Sequence, residues 1–178
     1  GHVIDVESHL ASSLPAFTLV GLPDTSLNEA RDRVRAAVSS SGLTWPQRRI
    51  TVNLSPASLP KSGSVTDLAI AVSVLAGAGM IEASAPAHAI HLGELGLDGQ
   101  LRPVRGILPA VASAVEAGHK RVVVPRANEE EARLVPGADV VAAESLAEVA
   151  ALYGNTDARP ASRPRRSGAA GLPDAVTQ

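Results

Sequence analysis

Residues 59–79, LPKSGSVTDLAIAVSVLAGAG, place Lys61, Ser62, Ser64 and Thr66 in a polar loop that runs straight into an apolar helix. A serine hydroxyl at a helix start, beside a lysine amine, can form an acylating nucleophile. The amine takes the proton as the hydroxyl attacks. The same residue types also build hydrogen-bonded turns and helix caps. Spacing alone leaves both readings open. Arg102 and Arg105 flank Pro103 in LRPVRG. With Lys61 they are the candidate contacts for phosphate or for a protein partner, against the alternative of solvated loop charges or a salt bridge to Glu94.

Other chemistries lack their residues. There is no G-x-x-x-x-G-K-[ST] motif, so no phosphate-cradling P-loop. GELGLDG at 93–99 spaces its glycines by three but sits in an expected hairpin rather than between a strand and a helix. The five histidines form no H-E-x-x-H, and His88 and His91 fall on opposite faces of an expected strand, so no metal site is expected. The absence of cysteine excludes disulfides, thiol catalysis and Cys-based zinc sites.

The elements that must hold these residues follow from periodicity. A strand is expected over 2–10, with Ile4 and Val6 opposite Asp5 and Glu7, and another over 16–20. A helix over 26–41, capped by Asp24 or Thr25, has Leu27, Ala30, Val34, Ala37 and Val38 on one face. Its outer face pairs Glu29 with Arg33 and Asp32 with Arg35, and Gly42 ends it. RRITVNLS at 48–55 alternates as a strand. The apolar helix after residue 66 starts with Asp67, whose charge suits the helix dipole. A hairpin is expected from strands 89–95 and 100–104 around Asp98-Gly99. Then come helix 107–117, strand RVVVP, a helix capped by Asn128, strand ADVVAA, and a last helix capped by Ser145. This second half implies parallel β-α units, and the whole chain an α/β fold, or α+β on a mixed sheet.

The chain has 178 residues, of which 45% are hydrophobic and 19% charged, enough for one core and a tail. Its net charge of −2 and its three aromatic residues, Phe17, Trp45 and Tyr153, argue against a stand-alone nucleic-acid-binding module. No apolar block approaches the roughly 18–20 residues of a membrane span, and no secretory signal is visible. A cytoplasmic location is expected. After Gly154, arginine, proline and small residues replace the apolar period, as in a linker.

LPKSG, HLGELGLDGQLRPVRG and EAGHKRVVVPRANEEEA resemble the proteolytic domain of Lon, in the same order and at similar spacing. That family uses a serine nucleophile and a lysine base. With its Pro-Lys-Asp-Gly-Pro-Ser-Ala-Gly motif laid on Pro60, Lys61, Ser62 and Gly63, the nucleophile falls on Val65. With its Gly-Glu hairpin laid on Gly93 and Glu94, and its following run on Gly99, Pro103 and Gly106, the lysine falls on Ala110. The resemblance thus implies a catalytic dyad replaced by two inert side chains. Longer blocks, GLPDTSLNEARDRVRAAVSSSG, RRITVNLSPASLPKSGSVTDLAIAVSVLA and HLGELGLDGQLRPVRGILP, resemble the N-terminal domain of the YifB/ComM proteins, which are magnesium-chelatase-like AAA+ ATPases. This implies a Lon-protease-like, ribosomal protein S5 domain 2-like fold over 1–153. It further implies that 154–178 is a linker towards an ATPase domain, and that members usually carry an earlier strand.

The expectation is therefore a non-catalytic accessory domain of such an ATPase, acting in DNA recombination, branch migration or natural transformation. No catalytic residues, metal or cofactor are expected in this chain; ATP and Mg belong to the ATPase domain. The partners implied by the resemblance are its own AAA+ domain, further copies in a hexameric ring, and DNA, with no membrane. A serine peptidase with a rearranged dyad and a stand-alone nucleic-acid-binding module are the alternatives.

Overall fold

A computed structural model of the chain describes residues 3–56 and 63–160. Strands β1 (Asp5–Ala11), β3 (Arg49–Ser55) and β2 (Ala16–Val20) form a mixed sheet in the order β1-β3-β2, with β1 antiparallel and β2 parallel to β3. Alternation decides its faces: Ile50, Val52 and Leu54 of β3 are fully buried, and Val6, Ser8 and Leu10 of β1 lie on the same inner side. The parallel pairing of β2 with β3 requires a crossover, supplied by α1 (Thr25–Asn28) and α2 (Ala30–Ser40).

Asp24 Oδ1 accepts the Leu27 N–H at 2.7 Å and starts α1. The expected continuous helix tightens at Glu29, whose carbonyl accepts the Asp32 N–H at 3.1 Å, three residues on. The apolar stripe continues across this tight turn through Leu27, Ala30, Val34, Ala37 and Val38, all fully buried. Helix α3 (Asp67–Gly77) is buried on nearly every side and packs against α2, β1, β3 and the second half of the chain. A short helix, α4 (Ser84–Ala87), follows.

The second sheet is parallel, in the order β4-β7-β8, from β4 (Ala89–His91), β7 (Arg121–Pro125) and β8 (Asp139–Ala143). Helices α5 (Ile107–Glu116) and α6 (Glu129–Ala132) connect these strands, and α7 (Leu146–Leu152) closes the unit. The expected long hairpin is shorter: only β5 (Glu94–Leu95) and β6 (Leu101–Arg102) pair, while residues 89–91 join β7 instead. Burial explains the reassignment, because β4 completes a parallel sheet over α5. Ser145 Oγ caps α7 through the Glu148 N–H at 3.2 Å, as expected. Asn128 does not cap α6 with its side chain; Oδ1 accepts the Val104 N–H and Nδ2 donates to the Val104 carbonyl, both at 3.0 Å. It therefore ties the β6–α5 loop to the start of α6. Beyond Tyr153 the chain stays on the domain: Asn155 Nδ2 donates to the Met80 carbonyl at 2.9 Å, and the Arg159 N–H to the Ser41 carbonyl at 2.9 Å. The result is an α/β fold with one mixed and one parallel three-stranded sheet around α3.

Candidate functional site

The loop before α3 is pinned through its backbone. The Gly93 N–H donates to the Val65 carbonyl at 2.9 Å, and the Leu68 N–H donates to the Gly93 carbonyl at 3.1 Å. The segment leading to β5 thus locks the start of α3 from both sides. Val65 is held where its side chain lines a cavity of about 580 Å³. Ala110, on the second turn of α5, lines the same cavity. Helix α5 begins after Gly106, whose φ of +73° lets the chain turn sharply from the β6 loop into the helix. The remaining wall is mostly apolar, from β1, α3, β4 and α5. The two positions indicated by the sequence therefore converge on one cleft. Neither side chain can attack a carbonyl or take a proton.

The candidate residues around them fall in different places. Ser64 Oγ donates to Glu94 Oε2 at 2.6 Å, and neither residue lines the cavity. Thr66 lines it but is buried at the head of α3. Arg102 is exposed on β6, opposite Glu94 in the hairpin register. It folds over the tight turn of that hairpin: a Cβ at Gly96 would meet its Nε at 3.0 Å. The salt bridge to Glu94, one of the two alternatives for this arginine, does not form; that carboxylate is bonded to Ser64. Arg105 is exposed in the loop before α5, and neither arginine is part of the cavity wall. Lys61 and Ser62 lie outside the described residues.

Beneath this loop lies a charge pair that periodicity did not expose. Asp67 is fully buried, and Arg33 grips it bidentately, with Nε–Oδ2 at 2.7 Å and Nη2–Oδ1 at 3.0 Å. Asp67 Oδ2 also accepts the Leu95 N–H at 3.1 Å, and Arg33 Nη2 donates to the Ser26 carbonyl at 2.9 Å. Burial pushes the Asp67 carboxyl up, while the Arg33 bond and the Leu95 N–H pull it down; Asp67 in turn raises the Arg33 guanidinium. The fork geometry is that of an ionised pair. It ties α2, α3 and β5 together directly behind Val65. The expected solvent-facing pair of Arg33 with Glu29 survives only as a 3.7 Å contact, secondary to Asp67. An acidic residue heading a helix this apolar was the available signal, since a buried carboxylate requires a cation.

A second buried polar pair, His91 Nε2 with the Tyr153 hydroxyl at 2.6 Å, borders the cavity from β4. Burial lowers the His91 pKa to about 4. Among the described residues no three His, Cys, Asp or Glu side chains converge in a way that would hold a metal ion, and no helix is long and apolar enough to cross a membrane.

The structure is a mixed α/β unit in which the loop before α3 and helix α5 border one cleft. The family model described as "ChlI: Subunit ChlI of Mg-chelatase" matches residues 6–128, and the chain belongs to that family, with the YifB and ComM proteins. It is 48% identical over 149 residues to an uncharacterised protein of Mycobacterium tuberculosis, covering 84% of this chain and 30% of that protein. It is 42% identical over 148 residues to the uncharacterised protein YifB of Escherichia coli, covering 83% and 29%. It is 40% identical over 147 residues to the competence protein ComM of Haemophilus influenzae, again covering 83% and 29%. A 44-residue stretch is 43% identical to an archaeal Lon protease of Pyrococcus abyssi, which covers 25% of this chain and 4% of that protein. The chain spans about 30% of the length of the full relatives it matches.

Proposed function

We propose that this chain is a non-catalytic accessory domain of a magnesium-chelatase-like AAA+ ATPase that acts on DNA in recombination, branch migration or natural transformation. The observation that carries the proposal is the shared cleft, whose wall includes both Val65 and Ala110, two side chains that can act as neither nucleophile nor base. Similarity to a competence protein supports the natural-transformation part of this reading. ATP and Mg belong to the motor domain, which assembles as a ring, and this domain guides substrate or couples to that motor. Arg102 and Arg105 are exposed and free of carboxylates within 4 Å among the described residues, so they remain available to phosphate.

The test uses the full-length protein with labelled forked DNA across a salt series. Each phosphate contact contributes roughly 0.9 to the slope of log affinity against log salt. Arg102→Ala/Arg105→Ala should flatten that slope by about 1 to 2 units. An unchanged slope and affinity would remove these arginines from the DNA contact. ATP-driven unwinding or branch migration that is unaffected by deletion of the whole domain would remove the accessory role.

The peptidase reading has one observation in its favour, the short Ser64–Glu94 hydrogen bond. Both residues sit outside the cleft, which leaves the pair without a pocket to receive a peptide carbonyl.

A further inference from the structure

The chain leaves the described domain at a fixed place. After Tyr153 the Asn155 N–H donates to the Ala150 carbonyl at 3.0 Å, and Asn155 Nδ2 donates to the Met80 carbonyl at 2.9 Å. The Asp157 N–H donates back to Asn155 Oδ1 at 3.0 Å, and Ala158 is buried in the main core. The Arg159 N–H then reaches the Ser41 carbonyl at 2.9 Å. Residues 155–159 thus form a strap across the C-terminal ends of α7, α3 and α2. Their composition is that of a linker, but their bonds make them part of the domain. Pro160 follows; its ring fixes its own φ and disfavours a helical Arg159, which gives the exit a direction.

Beside this exit stands an apolar knob. Gly96 to Gly99 form the tight turn between β5 and β6, closed by the Gly99 N–H on the Gly96 carbonyl at 2.9 Å. Small and polar residues dominate such turns, yet Leu97 occupies this one and is 60% exposed. Its backbone is held from several sides. Ser40 Oγ donates to the Leu97 carbonyl at 2.7 Å, the Leu146 N–H to the Gly99 carbonyl at 2.9 Å, and the Gln100 N–H to Asp98 Oδ1 at 3.0 Å. A Cβ on Gly99 would lie 2.9 Å from Ser41 Oγ, so the turn is pressed against the same end of α2 that holds the strap. Between Gln100, Glu148 and Ala151 on one side and Thr156, Arg159 and Pro160 on the other runs an open groove of about 640 Å³.

We propose that the Leu97 turn and this groove are the surface on which the next domain of the longer polypeptide docks. This rests on a motor domain following the present one, as proposed above. The place of the exit selects the occupant: Pro160 is itself a wall of the groove, and Arg159 is bonded to the residue next to Ser40, which holds Leu97. A tethered partner meets the surface at an effective concentration of about millimolar, so a contact too weak to hold a free protein is populated in cis. The turn is already ordered and has little conformational freedom left to lose on docking. The match to the Mycobacterium tuberculosis protein covers 30% of that protein, so most of its polypeptide lies outside the match. The rim sets the chemistry of the partner face. Arg126 is taken up by Glu144 at 3.4 Å and Glu148 at 3.3 Å, and Arg159 Nη1 donates to the Thr156 and Ala158 carbonyls. With Asp98 and Asp157, carboxylates outnumber cations there among the described residues. The partner face therefore offers an apolar pocket for Leu97 with lysines or arginines around it.

Carbene footprinting of the full-length protein, read residue by residue by mass spectrometry, tests the contact. Leu14 and Leu134, 85% and 70% exposed in other connections of the same domain, are internal references. Leu97 should be labelled about fivefold less than either, because docking excludes solvent from it. Leu97→Glu leaves the backbone bonds of the turn in place; it should raise labelling of Ala151 and Pro160 by about threefold, with unchanged far-UV circular dichroism. Protection should be the same in dilute and concentrated protein. Labelling of Leu97 equal to that of Leu14 and Leu134 would overturn the proposal. So would protection that appears only as concentration rises, the mark of a second copy on this surface. The footprint is read without reference to motor activity, so its failure is distinct from loss of the accessory role.

Discussion

His91 should make this domain acid-sensitive in a defined window. Its ring is 7% exposed, Nε2 is bonded to the Tyr153 hydroxyl, and burial lowers its pKa from 6.5 to about 4. The other titratable groups on the cavity wall are Asp5, Glu7 and His119. The folded state keeps His91 neutral until pH approaches 4, whereas the unfolded chain protonates it near 6.5. Between those values the unfolded state binds more protons, so stability falls as pH falls. A shift of about 2.5 units, at 1.36 kcal/mol per unit, corresponds to a loss of about 3 kcal/mol from pH 7 to pH 4. His91→Gln keeps a polar partner for Tyr153 and removes the titration. Urea unfolding at half-unit steps of pH, for wild type and variant, isolates the term as the difference between the two profiles. Equal profiles from pH 7 to 4 would refute the assignment, whatever the offset between them.

Other outcomes follow from the same packing. Leu75, fully buried in α3, should cost about 2 to 5 kcal/mol on truncation to alanine, because a cavity adds to the lost burial; a urea midpoint near wild type would show α3 exposed. Asp67→Ala should cost about 3 to 5 kcal/mol by leaving the Arg33 guanidinium unmatched, whereas Asp67→Ala with Arg33→Met should recover part of that loss. A double-mutant cycle by denaturant titration measures the coupling, and strict additivity would dissolve the pair. Gly21→Ala should destabilise more than an ordinary turn substitution: φ is +113° and the new Cβ would collide with the Leu54 carbonyl oxygen, so thermal melting should shift down by several degrees.

Where pattern and burial coincide, the sequence is transparent. Ala16–Val20, Arg121–Pro125 and α3 fall where their β-branched or apolar runs place them, and Asp24 and Ser145 cap their helices because a short oxygen-bearing side chain precedes an apolar stripe. The misjudged elements depend on distant partners. Residues 89–91 look like one arm of a hairpin, yet pair in parallel with Arg121–Val123, thirty-two positions on, a choice that no local pattern encodes. Asn128 has the chemistry of a cap and is diverted to Val104 by the proximity of the β6–α5 loop. The cleft was legible only through resemblance, because Val65 and Ala110 are ordinary core residue types by composition. The Arg33–Asp67 pair was hidden by its 34-residue separation and by Glu29, which offered Arg33 a nearer partner on the same helix.

The emptied dyad is tested most directly by active-site labelling. Full-length protein is treated with a fluorophosphonate probe and digested, and every serine-bearing peptide is read by mass spectrometry, with casein hydrolysis followed in parallel. With Val65 and Ala110 in the cleft and the Ser64 hydroxyl bonded to Glu94 outside it, no serine should be labelled above the heat-denatured control, and casein should remain intact. Stoichiometric labelling of Ser64, lost in Glu94→Gln, would contradict the account and make this domain a peptidase.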